Sequence, residues 1–108
     1  MAVLNMNYAE FNKNISNSEN LVLVDFWAQW CVYCRRIAPA YEKVAEQFKD
    51  KVIFGKVNID ENPELAQQEQ IEVLPTLVLY KNGIAIDSIV APESKAKIEE
   101  FIHQHLDK

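Results

Sequence analysis

The sequence predicts an α/β fold in which a central mixed β-sheet carries helices on both faces. Three observations lead there. In the first two thirds of the chain, apolar runs alternate with segments whose apolar residues recur at helical spacing, and that alternation demands parallel strands joined by helical crossovers. An Asn82-Gly83 pair between two further apolar runs is the strongest hairpin signal in the chain, so the later strands are antiparallel. The 108 residues, 49% hydrophobic and 25% charged, are enough for one domain with one core.

The first helix starts at Asn7-Tyr8-Ala9-Glu10, an N-cap residue followed three positions later by a carboxylate. It ends near Ile15, with Phe11 and Ile15 inward, and the polar Ser16-Asn17-Ser18-Glu19-Asn20 run follows as a loop. Leu21-Val22-Leu23-Val24 then runs into Asp25-Phe26-Trp27, a nearly continuous apolar stretch of the kind found in strands covered on both faces. Asp25 is the exception in it. A strand-end aspartate facing water is the plain reading, but four apolar residues before it and two aromatics after it favour burial. A buried carboxylate has a raised pKa and handles protons near neutral pH.

From Cys31 to Phe48, the positions Ile37, Tyr41, Val44, Ala45 and Phe48 recur at helical spacing. Pro39 falls within this helix and should kink it near Arg35 or Arg36. Residues 51–59 read as the next strand, where Lys56 is either a snorkelling surface lysine or a functional charge. Pro63 stands at the first turn of a short helix ending near Glu69. Val73-Leu74-Pro75-Thr76 precedes the strand Leu77-Val78-Leu79-Tyr80, and the hairpin leads into a strand ending at Val90. Pro92 opens the last helix, whose buried stripe is Ile98, Phe101, Ile102 and Leu106.

A net charge of −5 and a pI near 5.0 argue against nucleic acid or an anionic membrane as partner. No basic leader with a long apolar core precedes the first helix, and no run approaches a membrane span, so a cytoplasmic location is expected. His103 and His105, two apart on a helix, face different sides and are read as solvated, so no metal site is expected.

Both cysteines of the chain, Cys31 and Cys34, sit where a strand turns into a helix. Their spacing places the first sulfur at the helix N-terminus and the second about one turn further in. Unpaired N–H groups and the positive end of the helix dipole stabilise a thiolate there, which is the reactive form. The chemistry served is thiol–disulfide exchange.

With these residues in place, the chain resembles the thioredoxin family along nearly its whole length. The matching segments are Val24-Asp25-Phe26-Trp27-Ala28 before Trp30-Cys31, Cys34, Pro39, Lys56-Val57-Asn58-Ile59-Asp60, Leu74-Pro75-Thr76 and Lys81-Asn82-Gly83. The resemblance implies a single thioredoxin-fold domain over 1–108, with Cys31 as exposed nucleophile and Cys34 as shielded resolving cysteine. Asp25 would take the Cys34 proton through water, and Lys56 beside it would tune that carboxylate. Pro75 would be cis, and the Leu74 backbone would pair with an extended substrate segment. Trp30, with Trp27 beneath, would wall the site. The implied partners are disulfide-containing proteins and a flavin-dependent thioredoxin reductase, acting on a monomer that needs no cofactor beyond its own cysteine pair.

The chain also departs from the family pattern. Val32-Tyr33 stands between the cysteines in place of Gly-Pro. Tyr33 should restore a backbone donor near the Cys31 sulfur, making the disulfide more oxidising than in a Gly-Pro relative. Val73 and Ala91 replace glycines beside the family's substrate groove, and together with Tyr33 and Glu72 they suggest a narrower substrate range. The competing functions are a disulfide oxidase or isomerase on the same fold, and a non-catalytic partner subunit.

Overall fold

A computed structural model describes residues 2–16 and 19–106. Asn17 and Ser18, part of the loop expected after the first helix, lie outside the described residues. The elements are β1 (Val3–Asn5), α1 (Tyr8–Ser16), β2 (Leu21–Trp27), α2 (Val32–Phe48), β3 (Val52–Asn58), α3 (Pro63–Gln68), β4 (Thr76–Lys81), β5 (Ile84–Val90) and α4 (Lys95–Leu106).

The strands form one sheet in the order β1-β3-β2-β4-β5. Strands β1, β3 and β2 run parallel, and β4 and β5 are antiparallel. Side-chain alternation along β2 divides the interior into two layers. Leu21 and Leu23 join Ile37, Tyr41 and Val44 of α2 and Ile98, Phe101 and Ile102 of α4 on one face. Val22, Val24 and Phe26 join Phe11 and Ile15 of α1 and Leu65 of α3 on the other. This is the mixed sheet with helices on both faces that the pattern predicts.

The local signals work as physics requires. Asn7 and Glu10 exchange side-chain-to-backbone hydrogen bonds of 2.9 and 3.1 Å, a reciprocal cap on α1. Asn82 and Gly83 take φ values of 54° and 83°, and Lys81 pairs directly with Ile84 across a two-residue turn. Pro39 stands within one uninterrupted helix, its ring on the exposed side.

Two readings are corrected. Strand β1 has no counterpart among the expected elements: only Val3 of its three residues is buried, too little for a sequence pattern, and pairing with β3 creates it. Pro92 does not open α4. That helix starts at Lys95, and Ser94 accepts from the Lys97 N–H at 3.3 Å as its cap, leaving Pro92 buried in the preceding loop.

Candidate functional site

Strand β2, third of the five, delivers its C-terminal end to a tight turn in which the Cys31 N–H donates to Ala28 O at 3.2 Å. Cys31 adopts an extended backbone (φ −83°, ψ 108°) and is the N-cap of α2. Its Sγ accepts the Cys34 N–H at 3.2 Å. The sulfur thus takes the place an aspartate or serine oxygen holds at an ordinary N-cap, against an otherwise unpaired donor at the positive end of the helix. Cys31 and Cys34 are joined as a disulfide with Cα atoms 5.2 Å apart. Cys31 is partly exposed, whereas Cys34 is only 2% exposed.

The bond to sulfur bears on the reading of Tyr33. The N–H that reaches Cys31 Sγ belongs to Cys34, a position set by cap geometry and independent of the residue at 33. In the disulfide form, the bond to this sulfur thus comes from Cys34, while the shift expected from Tyr33 concerns the reduced thiolate. The Tyr33 hydroxyl donates to Pro92 O at 3.0 Å across 59 positions of sequence.

Asp25 lies below this turn. It shares the side-chain parity of Leu21 and Leu23, so it points into the layer that contains α2, and it is 4% exposed. Its Oδ1 has no hydrogen-bond partner among the described residues. Burial pushes its carboxyl up to about 7, with the Lys56 charge pulling in the opposite direction. Lys56 is the direct cross-strand partner of Asp25 in the parallel β2–β3 register. Its Nζ lies 5.3 Å from the centroid of the Trp27 ring.

The remaining expected residues border the turn or connect to it through the neighbouring loops. Trp30 and Val32 are exposed to 66% and 58%, and Val73, in the loop before β4, to 53%. The Leu74–Pro75 peptide is cis, with Leu74 half-buried and Pro75 buried. The Thr76 hydroxyl closes this loop on Val73 O. Ala91 has φ +46°, a left-handed conformation that suits glycine, and its N–H donates to Pro75 O at 2.8 Å. The Pro92 carbonyl, acceptor for Tyr33, is a site feature that no sequence signal announces, because a backbone oxygen carries no residue code.

The histidines differ from expectation in part. His105 is not solvated: its Nε2 lies 2.8 Å from Asp87 Oδ2 of β5, with its ring against Phe101. His103 is exposed, and its ring meets Phe48 edge-on at 5.2 Å. No group of three His, Cys, Asp or Glu side chains able to hold a metal occurs among the described residues. Nor is any helix among them long and apolar enough to cross a membrane.

A sulfur that caps a helix, joined in a disulfide to a buried second sulfur one turn further in, defines a thiol–disulfide oxidoreductase. The comparisons make the assignment specific: the chain belongs to the thioredoxin family, whose model, described as Thioredoxin, matches residues 2–104. The chain is similar to Thioredoxin 1 of Synechococcus elongatus, 41% identical over 98 residues that cover 91% of this chain and 92% of that one. It is 36% identical over 105 residues to the thioredoxin of Buchnera aphidicola, covering 97% of each. Among solved structures, Malassezia sympodialis thioredoxin (Mala s 13) has a TM-score of 0.86 at 38% identity, with 95% of this chain and 90% of that chain covered.

Proposed function

We propose that this chain works as a single-domain, monomeric reductase of protein disulfides in a reducing cytoplasmic compartment. Its Cys31 thiolate attacks one sulfur of a substrate disulfide, forming a mixed disulfide and expelling the other sulfur as a thiolate, which takes a proton from water. Cys34 passes its proton to Asp25 by way of water, and its thiolate attacks Cys31 Sγ. The second substrate sulfur leaves as a thiolate and is protonated. Two electrons have moved, and the Cys31–Cys34 disulfide remains.

Lys56, across from Asp25, keeps that carboxyl from rising further, so it still ionises near neutral pH. The exposed apolar side chains of Trp30, Val32 and Val73 suit a protein partner, and the Leu74 backbone suits strand-like pairing with an extended segment. A flavin-dependent reductase drawing on a nicotinamide cofactor returns the pair to the dithiol. The cysteine pair is the only redox group this chain itself contributes to the cycle.

The observation carrying this reading is the Cys31 sulfur acting as helix N-cap. Its test is alkylation of the reduced, folded protein at neutral pH together with a Cys34→Ser trap. Selective modification of Cys31, and a mixed disulfide that accumulates in the variant, are expected. A Cys31 that resists alkylation overturns the reading.

A further inference from the structure

Three segments are tied together next to the cysteine turn: the first turn of α2, which Cys31 caps, the loop carrying cis-Pro75, and residues 91–94 between β5 and α4. Two hydrogen bonds link them. The Ala91 N–H donates to Pro75 O at 2.8 Å, and the Tyr33 hydroxyl donates to Pro92 O at 3.0 Å. Adjacent residues of one loop are therefore fastened in different directions, one to the cis-proline loop and one to the cysteine helix. Pro92 is itself buried, and Ala91 holds φ +46° with a methyl group where the left-handed conformation favours none. The loop has little freedom to swing outward.

We propose that the Tyr33 hydroxyl is a latch that sets the width of the substrate groove. Held closed, the latch favours small or extended disulfides over disulfides flanked by bulky folded structure. Tyr33 is a positioning residue in this role, because it acts through the Pro92 carbonyl and not on the reacting sulfur, whose donor is the Cys34 N–H. Trp30 and Val32, on either side of Cys31 in sequence, are exposed to 66% and 58%, so that flank is accessible to a partner. An extended segment can enter there, whereas a globular surface needs the 91–94 wall to give way.

The latch rests on exchange at Cys31 as proposed above, and the test separates the two. Reduced protein is mixed in single-turnover stopped flow with insulin or with glutathione disulfide, followed by tryptophan fluorescence. The variants are Tyr33→Phe, which keeps the ring and loses the hydroxyl, and Ala91→Gly, which frees the same loop without touching Tyr33. The rate constant for insulin relative to glutathione disulfide is expected to rise about fivefold in Tyr33→Phe, the leverage of one ordinary hydrogen bond. That rise should come through the half-saturation concentration for insulin and not through the limiting rate. Ala91→Gly should move the ratio the same way, and the double variant should gain less than the product of the two. An unchanged or lower ratio in Tyr33→Phe overturns the latch, as does an equal change toward both disulfides. A wild-type chain inert to both substrates overturns the exchange reading and the latch together.

Discussion

Asp25 and Lys56 face each other across the parallel β2–β3 register, yet the lysine amine lies 5.3 Å from the Trp27 ring centroid. Burial outweighs that positive charge, so the carboxyl is pushed up to about 7 instead of being held down as in an exposed ion pair. The balance between the two effects sets where Asp25 titrates, and it can be measured.

Asp25→Asn should stabilise the protein above neutral pH. The folded-state pKa of about 7 exceeds the unfolded value of 3.8, so the folded state binds the extra proton between those limits. Stability therefore falls as pH rises from about 4 to 7 and stays low above that. The variant escapes this loss, on the order of 4 kcal/mol if the full shift is realised. Urea denaturation from pH 4 to pH 8.5 checks it; a difference between wild type and variant that does not grow with pH contradicts the assignment.

Removing the opposing charge should move the same titration upward. In Lys56→Met the burial penalty on Asp25 is no longer countered, so its midpoint should lie above the wild-type value. Carboxyl NMR titration of the two proteins decides the direction. A downward move would mean that Lys56 does not act on Asp25 through its charge.

Two left-handed positions should respond in opposite ways to the same exchange of residue. Ala91→Gly at φ +46° is expected to be neutral or to stabilise by up to about 1 kcal/mol, whereas Gly83→Ala at φ +83° should cost about 1 kcal/mol. Chemical denaturation midpoints at constant slope provide the comparison.

Tyr41 joins layers through one oxygen, which donates toward both Leu23 O at 3.0 Å and Gly55 O at 2.8 Å from within the core. Tyr41→Phe should destabilise by about 1–3 kcal/mol, since it leaves buried carbonyls with less satisfaction while keeping the ring. A thermal melt with no measurable shift would show that these bonds contribute nothing net.

Much of the architecture was legible because it depends on short-range pattern. Leu21 to Val24, the α2 stripe from Ile37 to Val44, the Asn7/Glu10 cap and Asn82-Gly83 each declare their structure within a few residues. Cys31 and Cys34 were legible for the same reason, and the burial of Asp25 followed from its neighbours. What escaped depends on distant partners. Strand β1 exists through pairing with β3 alone, and Pro92 drew attention away from Ser94, the true cap of α4. His105 finds Asp87 across 18 positions, and the Tyr33 hydroxyl finds a main-chain oxygen across 59. No local spacing encodes such meetings.

The sulfur and the 91–94 segment are suspended from different parts of the sheet. Cys31 grows out of β2, hemmed by neighbours on either flank, while residues 91–94 hang from β5 at the outermost margin. Amide deuterium uptake should consequently be graded, slow at the buried Phe26 and faster at the exposed Glu93 and Ser94. Under the proposed latch, the central strand holds the reacting sulfur while the two hydrogen bonds at 91 and 92 decide whether the margin can yield.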